Sequence, residues 1–355
     1  MSTVPLKKAL SILKPIAGPA DKPVLLIAHP DGVHLVAEDA DHRIAVTVPG
    51  SVDGGKWTLP PRCVLPHSAL SALATGARLD VDILPDAKIR AGGVVALRCS
   101  DDAAPEGAGA IQYRREVLGE DAAAVGAALV AVLPSVSADG CRVGLNGAEW
   151  GRRAVVATDG KRLMAASVPE TVGPTNRHVI ARETIRLLDR LPVPTSISEG
   201  ETVIDVRGDG YHLRGRLTEG AFPDWSMVVP KAWQHRARVP GLGAHAADAA
   251  KAIRGMDCGK KPSVRVVVNG AWESRVDAVD GGTWSAAVDC QHEGPDDGSG
   301  GVQPLRIGLN ARFLADACVF VGGGVEVEFG DALSPVLLAG TAPGRLAIIM
   351  PMRLD

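Results

Sequence analysis

Three copies of one pattern sit along this chain at an almost constant spacing. They read VAEDADHRIAV, VATDGKRLMAA and DAVDGGTWSAA, and their shared acidic residue is Asp39, Asp159 and Asp280, 120 and then 121 residues apart. A chain of 355 residues accommodates three units of that length. In each copy apolar residues flank an Asp-rich, Gly-tolerant centre, the pattern of two short strands joined by a tight turn. Repetition constrains architecture more than any single motif, so it is settled first.

The repeat extends past the hairpin. PHSALSALATG, ARETIRLLDRL and NARFLADACVF follow the three copies, each with apolar residues at helical spacing. The alternating segments LDVDIL, TVIDVRG and VEVEFG come next and predict strands. Each unit opens on a further helical pattern: LKKALSILKPI, AAAVGAALVAVL and AADAAKAIRGM. The expected organisation is α+β, with three domains of two helices packed on antiparallel sheets, over residues 1–115, 116–232 and 233–355. Each is long enough to bury a core of its own.

Composition excludes more than it selects. The formal net charge is −3, from 38 basic and 41 acidic residues, so nucleic-acid contact has to come from local clusters. Aromatic content of 3% argues against single-strand binding by base stacking. There is no apolar run long enough for a bilayer and no basic-then-apolar leader, which predicts a cytoplasmic protein. Cys63, Cys99, Cys141, Cys258, Cys290 and Cys318 are scattered without a C-x-x-C pair, and read as reduced thiols. Residues 100–110 and 292–304, rich in Gly, Asp and Pro, read as flexible loops. GLGAHA at 241–246 fits a dinucleotide fingerprint only superficially: Arg-Ala-Arg-Val-Pro precedes it instead of a buried strand, so a linker is expected there.

No catalytic or metal site is expected. The sequence has no H-E-x-x-H, G-x-S-x-G or Walker loop, and its nine histidines never fall at metal-ligand spacing. Asp39, Asp159 and Asp280 read as turn-holding residues, whose side chains accept nearby backbone N–H groups, rather than paired catalytic carboxylates.

ATDGKRLMAASVP (157–169), EGAFPDWSMVVP (219–230), SPV (334–336) and IIMPMRLD (348–355) resemble the bacterial DNA polymerase III β subunit, the sliding clamp. The motifs occur in that family's order, and the resemblance is clearest after about residue 140. It implies three clamp domains per chain and a head-to-tail homodimer, a ring of six domains with sheets outside and helices lining a hole around duplex DNA. Such a ring is a processivity factor, not an enzyme. It uses no cofactor and tethers DNA polymerase, the clamp loader and repair proteins through their short linear motifs.

The resemblance also implies two kinds of site. The partner-peptide groove would comprise Leu145, Thr158, Gly160, Lys161, Arg162 and Leu163; Pro223, Met227 and Val228; Leu333, Pro335 and Val336; and Ile348, Ile349, Met350, Pro351, Met352, Arg353 and Leu354. Arg162 and Arg353 would orient polar groups of the ligand. Sequence-independent contact with double-stranded DNA would fall to Lys7, Lys8, Lys14 and Lys22, to Arg182, Arg186 and Arg190 at i, i+4 and i+8, and to Lys251, Arg254, Lys260 and Lys261. Basic residues on one helix face reach phosphates and fix no register, as sliding requires. Met256 would lie at the subunit interface.

Departures from the family pattern are Lys161 where His is common, Met227 where Arg is common, and Asp355 after the usual final Leu. The end of the first unit also lacks the usual Phe-Pro segment. Two other readings stay open: an adaptor or specialised duplicate that binds partner peptides without acting as the main ring, and an enzyme on a repeated α+β scaffold.

Overall fold

The repeated hairpins are formed as the pattern predicts. Gly32–Glu38 pairs antiparallel with His42–Val48, Ala154–Thr158 with Arg162–Ser167, and Ala271–Asp277 with Thr283–Asp289. The repeated aspartate closes each turn with its own side chain. Asp39 Oδ1 accepts the backbone N–H groups of Asp41 and His42 at 2.9 and 2.8 Å. Asp159 Oδ1 accepts those of Lys161 and Arg162 at 2.9 and 3.0 Å. Asp280 Oδ1 accepts that of Gly282 at 3.0 Å. A short acceptor two residues before the reversal satisfies donors the ladder cannot reach.

The computed structural model describes residues 6–18, 22–29, 32–48, 62–67, 71, 82–83, 89–91, 93–94, 114–174, 177–218, 220–258 and 263–354. The stretch 100–110, most of PHSALSALATG, Cys99, Lys260 and Lys261 lie outside those residues. The chain forms two compact units, one of Met1–Val130 with Pro174–Thr218, the other of Ala131–Gly173 with Glu219–Asp355. These units do not follow boundaries near 115 and 232. The reason is strand pairing across the repeats, which assigns the middle repeat partly to each unit.

In the first unit one antiparallel sheet runs in the order Arg62–Pro66, Pro23–His29, Gly32–Glu38, His42–Val48, Tyr211–Arg216, Val203–Gly208, Pro194–Glu199, Arg115–Leu118. The Leu6–Ala17 helix buries Ala9, Leu10, Ile12, Leu13 and Ile16, and leaves Lys7, Lys8, Ser11 and Lys14 exposed. That division follows the 3.6-residue period. The Arg182–Leu188 helix buries Thr184, Ile185, Leu187 and Leu188. It stops before Arg190, whose N–H closes a tighter turn on the Leu187 carbonyl at 3.0 Å. Pro192 disfavours the helical region for Leu191, so the expected three-arginine helix face is cut to Arg182 and Arg186. Within the sheet Asp205, fully buried, receives Arg214 through Nε at 2.8 Å and Nη2 at 2.9 Å.

The second unit has two sheets. One runs Gly147–Trp150, Ala154–Thr158, Arg162–Ser167, Arg345–Ile349, Val336–Ala339, Val325–Phe329, His235–Val239, Gln291–Glu293. The other runs Thr283–Asp289, Ala271–Asp277, Val264–Val268, Leu305–Leu309. Trp272 from the smaller sheet and Phe329 from the larger, both fully buried, stack with ring centroids 6.0 Å apart. The Ala311–Val321 helix starts on Asn310, whose Oδ1 accepts the N–H groups of Arg312 and Phe313, and ends on Gly322 at φ 82°. Side-chain capping at one end and a left-handed glycine at the other satisfy the orphan backbone groups.

One loop expectation fails here and a second is narrowed. GLGAHA is no linker: Gly241 caps the Leu242–Gly255 helix and Leu242 is fully buried. His292 and Glu293 are in a strand, and the rest of 292–304 is folded back by an Asp296–Val302 bridge and by Asp297, which accepts from Ser299 and Gly301. Cys141, Cys258, Cys290 and Cys318 are free thiols, and burial pushes the Cys318 thiol up to about 12. No helix of the described residues is long and apolar enough to cross a membrane.

The turn aspartate gives a pH-dependent prediction. Burial raises the Asp39 carboxyl, but hydrogen bonds from Asp41 and His42 and the charge of His42 outweigh it, so the group titrates below 3.8. A depressed carboxylate stabilises fully above the unfolded value, and that stability is lost as pH falls through the folded one. Asp39→Ala is expected to cost about 1–2 kcal/mol near neutrality, from two lost backbone bonds. Thermal denaturation should show the gap between wild type and variant closing below pH ~4.

Candidate partner-peptide groove

The second unit carries an open groove. Leu145, Leu163, Pro223, Trp225, Val228, Ile348 and Met350 give it an apolar lining, completed by Thr158, Gly160, Arg162 and Asp224. Its floor is set by register: Leu163 on Arg162–Ser167 faces Ile348 on Arg345–Ile349, and both are nearly fully buried. The 3₁₀ turn Trp225–Val228 forms another wall, capped by Asp224, which accepts from the N–H and hydroxyl of Ser226. Gly160 sits at φ 81°, a left-handed conformation that glycine adopts without strain. The cavity holds about 170 Å³. That is small beside the roughly 300–1,000 Å³ of a small-molecule pocket, and suits a few anchoring side chains of a longer ligand.

Nine of the expected groove residues line it: Leu145, Thr158, Gly160, Arg162, Leu163, Pro223, Val228, Ile348 and Met350. Met227 is 82% exposed and Leu333 60% exposed, and they stand outside the lining. Lys161 is exposed, and its carbonyl accepts the Met350 N–H at 2.8 Å. Val336 and Ile349, a cross-strand pair, are fully buried in the sheet. The tail runs elsewhere. Met352 donates its N–H to the Gly308 carbonyl at 2.8 Å, and a Cβ on Gly308 would meet Met352 O and Leu354 Cδ2 at 2.6 and 2.8 Å. Pro335, Pro351, Met352, Arg353 and Leu354 do not line this cavity.

Arg162 lines the groove but is committed within the protein. Nε bonds Asp159 Oδ2 at 3.1 Å, Nη1 bonds Asp316 Oδ2 at 2.6 Å, Nη2 donates to the Pro134 carbonyl, and Cζ lies 4.3 Å from the Phe313 ring centroid. It is not a free group for orienting a ligand. Sequence reasoning missed Asp224 and Trp225. Both sit inside the quoted EGAFPDWSMVVP segment, and the tryptophan two residues past Pro223 was the available signal.

The basic positions divide. Lys7, Lys8, Lys14, Lys251 and Arg254 are exposed on their helices, Arg190 is exposed beyond its helix, and Lys22 is half-buried. Arg186 is paired with Glu183 at 3.0 Å. The Arg182 guanidinium is partly desolvated, which together with Arg186 lowers its pKa, and its buried Nε has no partner among the described residues. The helix Gly119–Val132 carries Glu120 and Asp121 but no Lys or Arg. Met256 is half-buried at the end of its helix, near the Asp280–Gly282 turn.

Two clusters imitate catalytic chemistry. His42 Nδ1 lies 3.2 Å from Asp39 Oδ1 and its Nε2 3.0 Å from Thr184 Oγ1, while His245 Nε2 lies 2.7 Å from Ser274 Oγ. All of Thr184, His42, His245 and Ser274 are buried, and a Cβ at Gly215 would come within 2.6 Å of Thr184 Oγ1. These are core hydrogen bonds with no room for a substrate. No group of three or more metal-capable side chains occurs among the described residues.

Comparison with known proteins agrees with this fold. No protein-family model matches the chain. The Beta sliding clamp of Caulobacter vibrioides is 30% identical over 213 residues, 56% of this chain. The match spans about half, 53%, of that curated relative's length. Among solved structures, the Pseudomonas aeruginosa sliding clamp bound to griselimycin has a TM-score of 0.82 at 20% identity, covering 98% of this chain and 97% of that one. The C. crescentus β sliding clamp, with polyethylene glycol bound to its β-motif tethering region, has a TM-score of 0.79 at 22% identity, covering 98% and 96%. This chain resembles the bacterial sliding clamps in sequence over that stretch, and it has the fold of the DNA polymerase III β subunit.

Proposed function

We propose that this chain is a DNA sliding clamp: a non-catalytic processivity factor that closes as a head-to-tail homodimer around duplex DNA. The observation that carries the reading is the groove. Leu145 and eight residues from three separated sequence motifs converge on one apolar surface with few polar atoms. Such a surface fits short linear motifs of a DNA polymerase, a clamp loader and repair proteins, held by a few buried anchors. The three domains would be residues 1–115, 116–232 and 233–355, with Met256 near the subunit junction. Lys7, Lys8, Lys14, Lys251, Arg254, Arg182 and Arg186 would face DNA phosphates. The setting would be the cytoplasm, and no cofactor is required.

A second reading, an adaptor that binds partner peptides without holding DNA, is favoured by one observation. The Gly119–Val132 helix offers no cation, and Arg186 is already paired. Retention on DNA decides between them. The clamp should stay on nicked circular DNA after loading and slide off once the circle is cut. Sedimentation should give twice the 36.8 kDa chain mass. A stable monomer at micromolar concentration would refute the ring.

Two further outcomes are expected. Retention should fall steeply with salt, and Arg182→Glu with Arg186→Glu should weaken it while leaving the dimer intact, because phosphate contacts release counterions. Unchanged retention in the double variant would remove those residues from the DNA face. In the groove, Val228→Glu should weaken a Gln- and Leu-containing polymerase peptide by about tenfold or more, since it buries an unpaired charge. Calorimetric titration at constant dimer mass is the check.

A further inference from the structure

The guanidinium of Arg162 joins three separate segments. Its own hairpin turn supplies Asp159, the chain around Pro134 supplies a carbonyl, and the Ala311–Val321 helix supplies Asp316 and the face of Phe313. Phe313 and Asp316 stand three residues apart, on one face of that helix. The side chain is only 10% exposed. A planar fork of five donors can serve three acceptors and still stack on a ring; an ammonium cannot.

The same position is used again in the first unit. His42 also follows its turn aspartate by three residues. It also bonds that aspartate, at 3.2 Å, and it also reaches a helix far along the chain, through Thr184 at 3.0 Å. Two of the three copies therefore use this position to lock the turn to a helix; in the third, Thr283 bonds Asp277 of its own hairpin instead. In the second unit that turn holds Gly160 and Thr158 in the groove lining, and the Lys161 carbonyl holds Met350.

We propose that Arg162 is the positioning residue of the groove, fixing the 158–161 wall against the Ala311–Val321 helix so that the groove stands formed before a ligand arrives. This deepens the reading of the groove as a partner site and rests on it. A preformed wall spares the ligand the free energy of ordering it. The role differs from ligand contact: the arginine acts through Gly160, Lys161 and Met350.

The test uses the full chain and griselimycin as probe, with Arg162→Lys, Asp316→Asn and the double variant, and His42→Ala as a control in the other unit. Arg162→Lys and Asp316→Asn should each weaken binding by roughly tenfold, the double variant scarcely more than either, because both break one lock. Amide exchange at Gly160 and Lys161 should quicken in the free variants and return to the wild-type rate at saturating probe. His42→Ala should lower thermal stability and leave affinity unchanged. If affinity is unchanged in Arg162→Lys, or if exchange at Gly160 and Lys161 is unaffected, the positioning role is wrong. If wild type does not bind the probe or the polymerase peptide, the groove reading itself fails.

Discussion

Backbone pairing between repeats is the constraint on which the remaining features depend. A hairpin alone exposes an edge, and an unpaired edge invites association with whatever strand is nearby. Here His42–Val48 pairs with Tyr211–Arg216, and Arg162–Ser167 pairs with Arg345–Ile349. The first two hairpins are thereby built into long sheets, although the partner strand lies more than 150 residues away in sequence; the third leaves Thr283–Asp289 at the edge of its sheet. The compact units follow these sheets and cut across the repeat. Contacts so distant in sequence are slow to form, since loop closure must precede any reward. The repeated Asp turns reduce the difficulty locally by making each hairpin a preformed piece.

Much of this was legible from residues alone. The turn aspartates announced themselves through spacing, and their side-chain hydrogen bonds match the role assigned to them. The helix Leu6–Ala17 was readable because its lysines and aliphatics alternate at helical period. What failed did so for local reasons. Arg190 was placed on a helix because i, i+4 and i+8 look continuous in text, but Pro192 ends the helix first. GLGAHA reads as a linker because the arginines of Arg-Ala-Arg-Val-Pro hide a strand, yet His235–Val239 is one, with Ala237 and Val239 fully buried and its arginines facing outward. The resemblance, and not the residue pattern, assigns the tail to the groove; Leu354 packs over Gly308, where the absence of a side chain leaves room.

The long-range partners of Arg162 were not readable at all. Pro134 and Asp316 lie 28 and 154 residues from it. Nothing in the pattern TDGKRL distinguishes an arginine held by two carboxylates from one waiting for a ligand. Only three-dimensional placement separates these, and it changes the chemistry of the groove. With Arg162 satisfied internally, the lining is apolar surface edged by hydroxyl, backbone and the capped Asp224. Such a lining offers a ligand shape and burial more than charge pairing.

The two inter-repeat junctions also explain why an apolar floor arises in the second unit. They share a plan, in which a turn aspartate and a locking residue three positions on precede a strand that pairs with a distant one. The next residue differs. In the first unit it is Arg43, opposite Arg214, which is itself tied to Asp205. In the second it is Leu163, opposite Ile348. Two arginines across a ladder keep that register charged and hydrated, and need carboxylates nearby to be tolerated at all. Leucine and isoleucine at the equivalent register make a dry surface, which Trp225, Val228 and Met350 then wall in. One scaffold, repeated, thus carries a pair of arginines at one junction and an apolar groove floor at the other.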